Sequence, residues 1–173
     1  MITYNPAFDL YHCIFRMAHI VQRLDDGESF PIDKVRIWDF YLLFPTKLYN
    51  IHLKRSEEGI RKQLHRFINI HRNPYEYRGD NRKLFEWIKQ FQISALSCLV
   101  SCGILDKDEY LNDNVLVKDH DALDKFVKES GDLTDTEKNV LSFLSLLSKN
   151  MPLTGTYGLK YRTELLEYKY DAE

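Results

Sequence analysis

The sequence predicts a mainly α protein with a small β-hairpin, a winged-helix-like domain carrying additional packed helices. Three observations lead there. Over residues 82–102, Leu84, Ile88, Phe91, Ala95, Cys98 and Cys102 recur at alternating spacings of four and three, one face of a long helix. Gly103 follows, a residue that takes the left-handed conformation at a helix end without a Cβ clash. Beyond it Ile104 and Leu105, Tyr110 and Leu111, and Val115 to Val117 read as short strands, with Asn112, Asp113 and Asn114 as the turn between the last two. Long helix, glycine, strand, turn, strand is the order of a recognition helix (82–102) and its wing (104–117).

The remaining elements follow in chain order. Asn5 and Pro6 form a helix start, since proline is tolerated in a first turn. Leu10, Ile14, Met17, Val21 and Leu24 then mark an amphipathic helix, with His12, Arg16 and His19 off the stripe and expected at solvent or a polar edge. Residues 32–44 are apolar on nearly every side and stopped by Pro45, which predicts a buried helix. Asp39 lies in its middle, and a buried carboxylate needs a partner; Arg36, Arg16 or a helix N-terminus supplies one. Ser56, Glu57 and Glu58 suit a helix entry, and Ile60, Leu64, Phe67 and His71 mark one face of a basic helix ended at Pro74. Asp119 to Ser130 predict a short helix ended by Gly131. Leu133 to Glu137 read as the entry of another, with Thr and Asp caps and early acids, and Val140, Leu144, Leu147 and Met151 on its apolar face. Residues 1–153 thus read as one domain and 154–173 as a tyrosine-rich tail that packs on its own core or on a partner.

Composition narrows function by exclusion. The chain has 173 residues, 44% of them apolar and 13% aromatic, enough for a packed core. Its net charge of −2 gives no overall pull towards nucleic acid. No apolar run approaches the roughly 20 residues that cross a bilayer, and no basic stretch precedes an apolar core at the N-terminus, so a cytoplasmic protein is expected. Cys13, Cys98 and Cys102 are an odd number without CxxC spacing, as in a reduced protein. The six histidines lack metal-ligand spacing, the Gly155, Gly158 and Lys160 pattern lacks the spacing of a phosphate loop, and no nucleophile set or acid pair is evident. No enzyme, metal or cofactor is expected.

Charge is unevenly distributed. Between residues 47 and 89 eleven Lys and Arg stand against five acids, and between 106 and 137 eleven acids stand against four lysines. Arg72, Arg78, Arg82, Lys83 and Lys89 are the candidate phosphate contacts. Phe85 and Trp87, aromatics away from the strictest apolar stripe, are candidate partner anchors together with Tyr157 and Tyr161 of the tail.

Tyr4, Asn5, Pro6, Ala7, Phe8 and Asp9, Phe15 to Met17, the stretch from Asp33 to Pro45, Gly158 to Thr163, Leu166, and Tyr168 to Asp171 also carry a resemblance. The chain resembles the middle-component family of bacterial ABC three-component systems, which includes the small accessory subunit of Lamassu-type anti-phage and anti-plasmid defence. The resemblance implies a winged-helix accessory subunit that links an SMC/Rad50-like coiled-coil ATPase to an effector nuclease, touching DNA, if at all, through the complex. The alternative is a winged-helix DNA-binding transcriptional regulator acting without those partners.

Overall fold

The computed structural model describes residues 5–24, 27–68, 79–149 and 151–168. The elements in order are α1 (Leu10–Leu24), β1 (Phe30–Pro31), α2 (Ile32–Leu43), α3 (Glu58–Phe67), α4 (Asn81–Ser101), α5 (Lys107–Leu111), β2 (Asn114–Val115), α6 (His120–Ser130), α7 (Asp135–Ser148) and α8 (Leu159–Thr163). Among the described residues the protein is mainly helical with one small antiparallel sheet, the fold class its sequence predicts. It divides into two compact units, Met1–Asp39 with Trp87–Asp132, and Phe40–Glu86 with Leu133–Glu173.

The first unit is built on α1, the first part of α2 and most of α4. Cys13, Met17, Ile20, Val21, Val35, Trp38, Ile88, Ala95 and Leu96 form its apolar interior. Helix α6 packs on α1, where Gln22 donates to Asp124 at 2.7 Å and a His19 ring nitrogen meets the Gly131 carbonyl at 3.1 Å. Gly103 ends the helix, as predicted, at φ 77°. Its N–H bonds the Val100 carbonyl at 2.9 Å and the Ile104 N–H that of Leu99 at 3.0 Å, the paired bonds of a Schellman cap.

The predicted hairpin needs correction. Tyr110 and Leu111 belong to α5, because Asp106 accepts from the Asp108 and Glu109 N–H groups and so starts a helix instead of a strand. The partner of β2 is β1, with Phe30 opposite Val115 and Pro31 opposite Asn114, and Leu105 bridges Val117. The expected turn survives in part. Asp113 adopts φ 60°, and its carbonyl accepts the Ile32 N–H at 2.9 Å.

Arg16 is a second correction: its side chain is buried, not at a solvent edge. Its Nε donates to Asp39 Oδ1 at 2.6 Å and its Nη1 to the Pro6 carbonyl at 3.1 Å. Because an arginine only donates, His12 Nδ1, 2.6 Å from Nη1, is the acceptor in that contact. On the other side Gln92 Nε2 donates to Asp39 Oδ2 at 2.9 Å, and Gln92 Oε1 receives Arg36 Nε at 3.0 Å. The predicted partner of Asp39 is therefore Arg16, and the carboxylate joins α1, α2 and α4. His19 is likewise buried.

In the second unit α3 packs on α7. Phe40, Leu48, Leu64, Ile68, Phe85, Val140, Leu141 and Leu144 make its interior. The Tyr49 hydroxyl donates to the Ile68 carbonyl, and Lys47 Nζ to Asn81 Oδ1 at 2.6 Å. Helix α7 opens on a reciprocal cap: Thr134 Oγ1 accepts the Glu137 N–H while the Glu137 carboxylate accepts the Thr134 N–H.

Candidate partner interface

Of the expected tail, 154–173, residues 154–168 are described, and they begin with a tight turn. Gly158 is obligatory there, since a Cβ would lie 2.2 Å from the Thr154 carbonyl oxygen. The turn closes with Leu159 N–H on the Pro152 carbonyl and Lys160 N–H on that of Leu153, both at 3.0 Å, so α8 starts at once. Arg162 then points inward and is 3% exposed. It donates to both Glu57 carboxylate oxygens, at 2.7 and 2.9 Å, to the His52 carbonyl at 3.1 Å and to the Tyr157 carbonyl at 2.8 Å. This forked pair holds the Glu57 carboxyl below its ordinary range. The His52 N–H returns a bond to the Arg162 carbonyl at 2.9 Å.

Between this latched segment and the end of α7 lies an open groove of about 510 Å³. Leu146 and Leu147 of α7 line it together with Met151, Pro152, Tyr157 and Lys54. Leu146 is 57% exposed and Tyr157 50%. Lys54 Nζ sits 3.7 Å from the Tyr157 ring centre, a cation–π contact that fixes the ring's position. Tyr161 meets Tyr157 edge-on at 6.0 Å and Tyr168 at 5.5 Å. Large apolar groups held outward on a rigid frame suit an apolar side chain from another protein.

The other predicted residues separate. Phe85 is fully buried and packs edge-on against Phe40 at 5.8 Å, so it presents no surface and is corrected to a core residue. Two positions further round the helix, Trp87 is 51% exposed on the first unit. Arg72 and Arg78 lie outside the described residues. Arg82 is exposed and pairs with Glu167 at 3.0 Å; Lys83 and Lys89 are exposed. Along α4, Glu86 lies between Arg82 and Lys89 on one face by helical spacing, so that face carries both signs of charge.

Reading the chain as sequence left the basic residues of α3 out of the candidate site. Arg61, Lys62, His65 and Arg66 are exposed, and the sequence signal for them is their basic run around the apolar Leu64. Cys13 is buried, and burial first, then the Asp39 charge, pushes its thiol far above the ordinary range; Cys102 is exposed. Among the described residues no group of three or more His, Cys, Asp or Glu is placed to hold a metal, and no helix is long and apolar enough to cross a membrane.

Fold and surface together define a mainly helical chain with a small sheet and an apolar groove open to solvent. The chain belongs to the ABC-three component (ABC-3C) system Middle Component 5 family, whose model matches residues 2–171. No curated protein and no solved structure matches it. It is an accessory subunit of an ABC three-component system, and the system's other components are its partners.

Proposed function

We propose that this chain is a non-catalytic adaptor in a Lamassu-type bacterial defence complex, joining an SMC-like coiled-coil ATPase to an effector nuclease. The observation that carries the reading is the groove beside Leu146 and Tyr157, where Leu146 on α7 and Tyr157, whose carbonyl bonds the latch residue Arg162, are each half or more exposed. Such an arrangement loses apolar contact with water when an apolar surface of another protein covers it. Membership of a middle-component family supplies the setting.

The test is affinity capture of the tagged chain co-expressed with its genomic neighbours. The expected result is a coiled-coil ATPase recovered in fixed ratio, with recovery cut at least tenfold by Leu146→Glu and by Tyr157→Ala. A chain recovered alone, or one whose partners ignore both substitutions, overturns this reading. The regulator reading draws on the Schellman-capped α4 and the sheet beyond it. It predicts the opposite outcome, capture alone together with sequence-selective duplex binding.

A further inference from the structure

The two units differ in charge. Counted along the sequence, the first carries 15 acidic residues against 9 basic, and the second 15 basic against 11 acidic, net −6 and +4. The excess in the second unit has a place on the fold. Helix α3 turns Leu64 inward and packs on α7, which leaves the opposite face to solvent. Around that side stand Glu58, Arg61, Lys62, His65 and Arg66, all exposed, a band about 140° wide at spacings of three, one, three and one. Arg55 is exposed in the 3-10 turn that leads into the helix.

We propose that this stripe, Arg61, Lys62 and Arg66 with Arg55 ahead of it, docks the sugar-phosphate backbone of duplex DNA without reading sequence. Along the helix axis Arg61 and Arg66 are about 7.5 Å apart, a span comparable with the axial rise of two phosphates of one strand at roughly 3.4 Å each. Three of the four cations are arginines, whose planar fork takes a phosphate through two bonds. The acid on the stripe, Glu58, sits at its N-terminal end and pairs with Lys62 at 3.1 Å. Both partners are well exposed, so a phosphate displaces that carboxylate at little cost. Helix-end electrostatics account for basic residues in the last turn, Arg66 among them, but not for Arg61 and Lys62 in the middle or Arg55 before the helix. These residues are distinct from the groove at Leu146 and Tyr157 and from the mixed-charge face of α4.

The experiment is fluorescence anisotropy of the full chain, alone, with a labelled mixed-sequence DNA duplex across a salt series. Contacts from four cations give log affinity a slope near −3 to −4 against log salt. The triple variant Arg61→Ala, Lys62→Ala, Arg66→Ala is expected to flatten the slope by about 2 to 3 and to weaken binding at least tenfold. A second triple variant, Lys107→Ala, Lys125→Ala, Lys128→Ala in the acidic unit, leaves the slope unchanged. Thermal melting verifies that both variants are folded. Absence of duplex binding by the intact chain overturns the proposal, as does an unchanged slope in the α3 variant. So does loss of protein capture with duplex binding intact, which makes the stripe a contact for an acidic protein surface. Because the assay contains no other component, its failure is separable from failure of the adaptor reading.

Discussion

Asp39 shows how one residue type in the wrong surroundings reports on a fold. A carboxylate in the middle of an apolar helix demands a cation, and the structure supplies Arg16 at 2.6 Å with both side chains almost fully buried. The demand was legible in the sequence; the direction of Arg16 was not. A single-stripe reading of α1 assumes one buried side, whereas this helix buries Cys13, Arg16, Met17, Ala18, His19, Ile20 and Val21, which covers most of its circumference. Removing one member strands the other in a dry site. Asp39→Ala is therefore expected to lower unfolding free energy by about 3–5 kcal/mol in urea titrations. The double variant Arg16→Met, Asp39→Leu is expected to recover most of that loss, because the pair's gain is largely offset by its desolvation. A double variant no more stable than the single one would mean that the pair supports the bundle beyond its own charge balance.

Among the elements, the long helices are legible from local signals, whereas α5, capped by Asp106, reads as a strand and the short strands pair otherwise than expected. Gly103, Gly131 and the Thr cap at the entry of α7 act within a few residues of themselves, so the helix ends predicted there are the ends observed. Pairing of β2 with β1 joins Val115 to Phe30, far along the chain, and no local pattern encodes it. The latch of α8 onto the 52–57 segment is nonlocal in the same way, and Arg162 carries no mark in the sequence beyond its charge. Its ion pair has a definite pH signature. The Glu57 carboxyl is held below its ordinary 4.5 chiefly by hydrogen bonds from Arg162. The stability it contributes is therefore full above about pH 4.5 and is lost as pH falls through the lowered folded value. Glu57→Gln is expected to cost roughly 1–3 kcal/mol at neutral pH. In thermal melts over a pH series, the gap between the variant and the unmodified protein closes below the ordinary glutamate range. A gap that stays constant down to the acid limb would show that the carboxylate's charge plays no part in the latch.

For the whole molecule, the sequence placed a basic middle before an acidic third, and folding sorts these into units of opposite net charge. What the sequence hid is which basic residues share a face. Lys83 and Lys89 on α4 have the exposed acid Glu86 between them, whereas no acid interrupts the exposed run of Arg61, Lys62, His65 and Arg66 on α3. The second unit thus offers two surfaces of different chemistry. The groove at Leu146 and Tyr157 excludes water from apolar contacts, and the α3 stripe exchanges counterions. If the surfaces act separately, their variants separate too. Leu146→Glu is expected to abolish partner capture while leaving the salt slope of duplex binding within error. Neutralising Arg61, Lys62 and Arg66 is expected to flatten that slope while leaving the captured ratio intact. A Leu146→Glu protein that also loses salt-dependent binding would show that both ligands cover one continuous surface. The adaptor would then carry either DNA or its partner, and the two would compete in a titration of one against the other.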